Sequence, residues 1–356
     1  MKQIKIYRIQ REQFMGLKAG KLPIELLKKV LKSASVSDAS VILGPKVGED
    51  SAIIDFGNRF LVIASDPVTF TTENAGWYMV HVNANDLYVT GATPKWLMAT
   101  LLLPIGSTER QVEKAFSQLK EACKEVGVSL IGGHTEVTEG ISKIIFSGTM
   151  IGEVDKNKAI LSSGALEGDG IVLTRGIAIE GTAILAHEAE KQILARGIAK
   201  ETISKAKKLL TNPGISVKED VKIALSGFEV NSMHDPTEGG ISSALAEIAL
   251  AANVGFQIDQ NLIPVLPECT EITKALSIEP MGLISSGALI VTLPDEQAKR
   301  LVFKYKSQGI DAAVIGKILP QKDGWKIKTN SGETQSMALF ERDELARYFS
   351  ENSNVS

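Results

Sequence analysis

Cysteine is nearly absent from this chain: Cys123 and Cys269 are the only two in 356 residues. Their scarcity and wide spacing exclude a disulfide framework and a CxxC zinc or redox motif. Histidine is also scarce, at four residues, and three of them, His81, His134 and His234, stand in segments rich in glycine or carboxylate. There is no basic excess. Lys and Arg number 39 against 42 Asp and Glu, a net charge of −3, without the basic face usual in nucleic-acid binders. No uninterrupted apolar run approaches the roughly 18 residues of a membrane span. The start, Met1-Lys2-Gln3-Ile4-Lys5, leads into further charged residues, so no secretory leader is expected. Familiar nucleotide and hydrolase signatures are missing as well. Gly16-Leu17-Lys18-Ala19-Gly20-Lys21-Leu22 is one residue short of a P-loop and has no Ser or Thr after the lysine; no G-x-G-x-x-G, G-x-S-x-G or H-E-x-x-H pattern occurs in the required context. What remains is ordinary globular composition, 44% hydrophobic and 23% charged, long enough for two cores and expected in the cytoplasm.

Helical and strand periods alternate along the chain. Residues 23–33 have helical spacing at Ile24, Leu26, Leu27, Val30 and Leu31 behind Pro23. Apolar runs at 52–55 and 60–64, separated by Gly57-Asn58, read as a hairpin delivering Ser65-Asp66 at its end. A helix over 77–90 should close at Gly91, with a strand at 96–103 after it. Thr108 and Gln111 fit a capping box, opening a helix with the apolar stripe Val112, Phe116, Leu119, Cys123 and Val126. Cys123 is therefore expected in the core. Strands at 128–131 and 143–154 complete a mixed α/β half. The second half alternates likewise, with strands at 170–174, 230–234, 288–293 and 312–318 and helices from Thr182, around 201–210, over 241–252 and from Asp295. The two halves end on similar runs, Thr149-Met150-Ile151-Gly152-Glu153-Val154 and Ala313-Val314-Ile315-Gly316-Lys317-Ile318, a hint of related layers.

The helix around Asp86 carries the chemical clue. Apolar residues occupy most of its circumference, the mark of a buried helix, yet Asn83, Asp86 and Thr90 form a narrow polar stripe. A buried carboxylate needs a cation or several donors, so Asp86 reads either as part of a structural hydrogen-bond cluster or as a metal ligand. Further acids sit at turns and strand ends: Glu49 and Asp50 after Gly48, Asp66 before Pro67, Asp235 in Met233-His234-Asp235-Pro236. Singly these are turn or cap residues; converging, they describe a hard-cation site of the kind Mg²⁺ occupies beside phosphate. Gly132-Gly133-His134-Thr135-Glu136 and Gly239-Gly240 read as tight turns or as backbone N–H groups facing an anion.

In this order, Gly48-Glu49-Asp50-Ser51-Ala52, Ser65-Asp66, His81-x-Asn83-x-Asn85-Asp86-Leu87 with Gly91-Ala92-x-Pro94, Gly132-Gly133-His134-Thr135-Glu136 and Asp235-Pro236-Thr237-Glu238-Gly239-Gly240 resemble the aminoimidazole ribonucleotide synthetase-like superfamily, nearest its HypE-like hydrogenase maturation members. The resemblance implies a two-domain α/β (α+β) PurM/HypE-like fold of mixed sheets flanked by helices, in a homodimer whose N-terminal domains share a β-barrel. The expected divisions are an N-terminal extension with a helix (1–40), an ATP-binding domain (41–157), a second domain (158–320) and a C-terminal tail (321–356).

It further implies ATP and Mg²⁺ in the cleft. Asp50, Asp66, Asp86 and Glu49 become the metal-ligand candidates, Gly132, Gly133, Thr135, Asn83, Lys46 and Gly239 the nucleotide contacts, and Asp235 and His134 the catalytic pair. The implied activity is phosphorylation or activation of an amide or carbonyl oxygen of a small-molecule or carbamoyl/thiol acceptor, in metallocentre maturation with a partner protein. Alternatives are a small-molecule kinase resembling thiamine-monophosphate kinase and a non-catalytic nucleotide-binding scaffold. Neither nucleic acid nor membrane is an expected partner. The first motif reads Gly-Glu-Asp where Gly-Asp-Asp is commoner, and His134 stands where HypE-like members carry Asp. The sequence ends without the terminal cysteine on which HypE works, so turnover on the chain's own terminal thiol is not expected.

Overall fold

The computed structural model describes residues 16–17, 19–34, 36–69 and 74–352; the charged start, Lys18 of the P-loop-like stretch and the last four residues of the tail lie outside them. The first half is a mixed seven-stranded sheet. Its strands are β1 (Val41–Leu43), β2 (Ala52–Phe56), β3 (Arg59–Ala64), β4 (Pro67–Val68), β5 (Thr93–Pro104), β6 (Ser129–Thr138) and β7 (Ile145–Asp155). They lie in the order β1-β2-β3-β7-β5-β6, with β4 paired to β7. Helices α1 (Ile24–Leu31), α2 (Ala75–Tyr88) and α3 (Glu109–Val126) accompany it.

The expected hairpin forms. Phe56 pairs with Arg59 across Gly57-Asn58, and β3 hands the chain directly to Ser65 and Asp66. The α3 crossover makes β5 and β6 parallel, and α3 opens on the Thr108–Gln111 capping box with Cys123 buried beneath it. One boundary differs from the sequence reading. The strand expected to stop at residue 131 continues as β6 through Thr138, so Gly132-Gly133-His134-Thr135-Glu136 is strand and not turn. β6 is an edge strand exposed almost throughout; with neither face covered, no alternation of apolar and polar residues marks it. Gly133 has φ +148°, and a Cβ there would fall 1.8 Å from the Ala99 carbonyl oxygen of β5. Strand packing alone therefore demands glycine at that position.

The second half is another mixed seven-stranded sheet, in the order β14-β13-β10-β12-β8-β11-β9. Its strands are β8 (Asp169–Thr174), β9 (Ser232–His234), β10 (Gly255–Asp259), β11 (Ile290–Pro294), β12 (Ala312–Leu319), β13 (Trp325–Lys328) and β14 (Thr334–Ser336). Helices α4 (Ile179–Glu188), α5 (Glu190–Ala195), α6 (Lys200–Lys208), α7 (Lys218–Ala224), α8 (Gly240–Ala252), α9 (Pro267–Leu276), α10 (Asp295–Ser307) and α11 (Glu344–Asn352) accompany it. The two similar runs noted in the sequence fall on β7 and β12, interior strands of their sheets. The stretch expected as a C-terminal tail from 321 is structured as far as it is described: β13 adds to β10 in parallel, Trp325 stacks on Phe256 with ring centroids 6.1 Å apart, and Phe340 and Phe349 pack against the core.

Two apolar clusters hold the molecule. One lies within the second half apart from Tyr78 of α2. The other runs from Ile53, Met79, Leu97 and Phe146 of the first half into Val172, Leu289, Val291 and Tyr305 of the second. Polar stitches reinforce the junction. The Asn85 amide of α2 donates to the Ile215 carbonyl at 2.8 Å and accepts from the Val217 N–H at 3.1 Å.

Candidate functional site

The β1–β2 turn, the end of β3, the buried helix α2, the β9–α8 turn and the segment leading into α1 meet around a cavity of about 350 Å³. Each carboxylate is delivered by a different local device. Gly48, at φ +87°, lies so close to α8 that a Cβ would sit 2.2 Å from the Glu247 carbonyl oxygen, which presses the Glu49-Asp50 turn onto that helix. Asp66 follows β3, and its backbone is pinned by Asn83: its N–H donates to Asn83 Oδ1 at 2.9 Å, and Asn83 Nδ2 donates to the Asp66 carbonyl at 3.2 Å and to Met79 O at 2.8 Å. Asp86, one helical turn along α2, faces the cavity. Asp235 directly follows β9 and is fully buried.

An ionic chain crosses the site. Asp50 Oδ2 lies 2.8 Å from His234 Nδ1, His234 Nε2 lies 3.0 Å from Glu247 Oε2, and Glu247 Oε1 lies 3.4 Å from Lys21 Nζ. Lys21 also donates to Thr237 Oγ1 at 3.1 Å. Burial works against the His234 imidazolium, but Asp50 and Glu247 on its two nitrogens hold its pKa well above the ordinary 6.5. Burial likewise opposes ionised Glu247, which Lys21 and His234 nevertheless keep at about 2.

The other carboxylates lack such partners. Burial first, then Glu238, raises Asp66 to about 6 against the pull of Lys21. Burial, then Asp66, Asp235 and Asp50, holds Asp86 well above the carboxylate range. Asp235 is raised to about 7 by burial and Asp50, with His234 pulling the other way. Both Asp235 carboxylate oxygens are buried without a hydrogen-bond partner. Orphaned oxygens among crowded acids are the condition that a bound cation relieves.

Among the described residues, no three His, Cys, Asp or Glu side chains form a ready-made metal cluster. Mg²⁺ shared with phosphate takes only one or two carboxylates from a protein and completes its shell with phosphate and water oxygens. Asp50, Asp66 and Asp86 fit that donor set.

The remaining candidates are placed as follows. Glu49 lines the cavity, but its two oxygens accept the Ser162 and Ser163 N–H groups, each at 3.1 Å, so it clasps the linker between the halves. Lys46 donates to the Ala251 carbonyl at 3.0 Å and stands 3.9 Å from Glu49. The Gly239 N–H, at the entry to α8, donates to Asp343 Oδ2 at 2.6 Å; a carboxylate of the chain already takes that anion position. Gly132, Gly133, His134 and Thr135 lie elsewhere, around a depression shared with Ala99, Leu101, Phe116 and Leu119. There His134 Nε2 is 3.1 Å from Glu136.

Sequence reasoning missed Lys21, Glu247 and Asp343. Glu247 had a signal: it is the only charged residue in the apolar helix α8, the same anomaly that marks Asp86. Lys21 was set aside along with the failed P-loop. Asp343 carried no local mark.

Two mixed-sheet α/β halves closing over a carboxylate-lined cleft, with no P-loop, define a two-domain α/β protein with a candidate metal–phosphate site. The chain belongs to the AIR synthase related protein family: its N-terminal domain model matches residues 48–154 and its C-terminal domain model residues 167–325. A putative hydrogenase expression/formation protein of Methanocaldococcus jannaschii is 31% identical, over 88% of this chain and 92% of that protein. A carbamoyl dehydratase HypE of Rhizobium leguminosarum bv. viciae is 27% identical, over 77% and 78%. A solved structure of the hydrogenase maturation protein HypE in complex with ATP superposes with a TM-score of 0.68 at 22% identity, covering 85% of this chain and 92% of that one. No helix among the described residues is long and apolar enough to cross a membrane.

Proposed function

We propose that this chain is a Mg–ATP-dependent enzyme of the HypE/AIR synthetase-like type that phosphorylates or activates an amide or carbonyl oxygen of a small acceptor during metallocentre maturation. The observation that carries the reading is the convergence of Asp50, Asp66 and Asp86 from three separate segments on one cavity, with the unpartnered Asp235 buried close enough to feel their charge. The names of the relatives agree with it. Mg²⁺, when bound, supplies neutralisation of charge on the phosphate oxygens. Asp50, Asp66 and Asp86 would hold it. Lys21, held at the cavity by Glu247 and Thr237, supplies a cation for the terminal phosphate. Asp235, deepest in the cluster and near neutrality in its pKa, holds or releases a proton beside the reacting group.

The acceptor thiol must come from outside the two internal cysteines. Both are buried, and burial pushes the Cys269 thiol up to about 12 and the Cys123 thiol upward, so neither offers a thiolate. We assign the exposed edge strand β6, with Leu130, Ile131 and Val137 in water, to a homodimer in which the first sheets form a shared barrel. That assembly would bring Gly132, Gly133, His134 and Thr135 toward a cleft that the single chain keeps them from. Two reduced, buried cysteines suit a cytoplasmic protein, and a maturation partner protein would deliver the acceptor.

Calorimetric titration of the full chain with ADP and ATP in MgCl₂ tests the reading. Binding that requires Mg²⁺ and weakens at least tenfold in Asp86→Ala is expected. Absence of Mg²⁺-dependent nucleotide binding overturns it.

A further inference from the structure

Glu247 stands on the second turn of the apolar helix α8, with its side chain 14% exposed, and two cations meet it. His234 Nε2 lies 3.0 Å from Oε2, and Lys21 Nζ donates to Oε1 at 3.4 Å. Each carboxylate oxygen therefore holds one cation. The other imidazole nitrogen faces Asp50 at 2.8 Å. Glu247 is fixed through its backbone as well, because its carbonyl oxygen packs against Gly48 in the turn that carries Asp50. Groups of alternating sign, Asp50, His234, Glu247 and Lys21, thus tie a metal-ligand candidate to the ammonium at the cavity. The metal–phosphate reading gives Glu247 no task.

We propose that Glu247 is a positioning residue that holds Lys21 at a set distance from the metal position, and that this makes the cleft prefer a nucleoside triphosphate to a diphosphate. The inference rests on the Mg–ATP reading and deepens it by naming what selects the terminal phosphate. An ammonium is a compact charge with three donors on a flexible four-carbon stem. Glu247 takes one donor and Thr237, at 3.1 Å, a second; the third is left for a phosphate oxygen.

The backbone does not place this ammonium by itself. Lys21 lies outside any helix or strand, its side chain is 46% exposed, and Glu238, the other acid beside it, stands farther off at 4.0 Å. The other cations lining the cavity are engaged elsewhere: Lys46 donates to the Ala251 carbonyl at the end of α8, and Arg342 to Ser350 and Glu351. The charge of Lys21, by contrast, reaches Asp66 and Asp86. Mg²⁺ on those carboxylates serves phosphates that both nucleotides share, and Lys21 serves the one that only the triphosphate has. A cation fixed in advance stabilises that charge without reorganisation.

Calorimetric titration of the full chain with Mg–ADP and with the Mg complex of a non-hydrolysable imido analogue of ATP reads the preference directly. The wild-type chain should bind the triphosphate about tenfold more tightly, the scale of one charge-assisted hydrogen bond. Glu247→Gln keeps the size and removes the charge; it should cut the preference to about threefold or less while changing Mg–ADP affinity by less than about threefold. Lys21→Met should lose the preference to the same extent, and the double variant should lose no more than either single one. Glu247→Asp, which keeps the charge one carbon short, should fall between wild type and Glu247→Gln, and it tests the same point if the glutamine variant does not fold. Thermal melts check folding. Equal weakening of both nucleotides in Glu247→Gln marks a merely structural role and overturns the inference. So do an unchanged preference in that variant, additive losses in the double variant, or a wild-type chain that binds both nucleotides alike. A wild-type chain that binds neither overturns the functional reading as well.

Discussion

Asp235→Asn should make the nucleotide-free protein more stable at neutral and higher pH, while weakening its response to Mg–nucleotide. Burial first, then Asp50, pushes the Asp235 carboxyl up to about 7, against an ordinary 3.8. The folded state therefore holds this proton more tightly than the unfolded chain does. Stability is undiminished below about pH 4, falls as pH rises from there toward 7, and stays reduced above. At about 1.4 kcal/mol per pKa unit, the ceiling is roughly 4 kcal/mol. Asp86 and Asp50 take up part of the relief when one charge is removed, so about 2 kcal/mol is the working figure. For a chain of this size that corresponds to a rise in melting temperature of roughly 2–3 °C.

Asparagine keeps the shape, and its amide hydrogens can serve the neighbouring carboxylates. Thermal melts at pH 5 and pH 8 in EDTA provide the assay, repeated with MgCl₂ and ADP. The variant should melt above wild type at pH 8, the gap should narrow at pH 5, and the stabilisation by Mg–ADP should shrink. A variant that melts below wild type at pH 8 in EDTA, or a gap that ignores pH, would refute the claim that Asp235 is an unrelieved buried acid.

Other consequences can be measured alongside. His234→Ala removes the cation between Asp50 and Glu247 and should cost about 3 kcal/mol in urea denaturation at pH 7. Because its folded pKa is raised, that loss should be full below about pH 6.5 and diminish as pH rises through the higher folded value. Glu49→Ala strands the Ser162 and Ser163 N–H groups and should cost about 2 kcal/mol yet weaken Mg–ADP binding less than Asp50→Ala; the reverse order by calorimetry would make Glu49 a ligand. Leu130→Lys with Ile131→Lys should convert a dimer to monomer in light scattering, and an unchanged mass would remove β6 from the interface.

Much of the site was legible because its residues break local rules. Asp86 is an acid in a helix apolar on nearly all sides, and Asp66 and Asp235 end strands. Asn83 was legible as a position but not as a job: the sequence marks it polar and buried, and only the fold reveals that it secures the Asp66 backbone. The Gly-Gly run could not be separated from a turn, because an edge strand bare on both faces leaves no period-two pattern. The structured 325–352 region escaped because its strands are only four and three residues long and its one helix, with Leu345, Ala346, Tyr348 and Phe349 against the core, runs into the polar end of the sequence. Asp343 escaped because its partner, the Gly239 N–H, is distant in sequence.

The apolar cluster that passes from Ile53 and Leu97 to Leu289 and Tyr305 bears on how the protein fails. Family models match the two halves separately, yet neither half could be withdrawn without uncovering the other's interior and breaking the Asn85 and Glu49 clasps. The chain should lose structure in a single transition. A cut in the linker at 156–161 should leave two fragments that remain associated, and the cleft cannot gape by swinging its walls apart. Entry and exit of ligand are then left to cavity walls outside this common interior, among them the segment that carries Lys21 into α1 and the 339–343 segment.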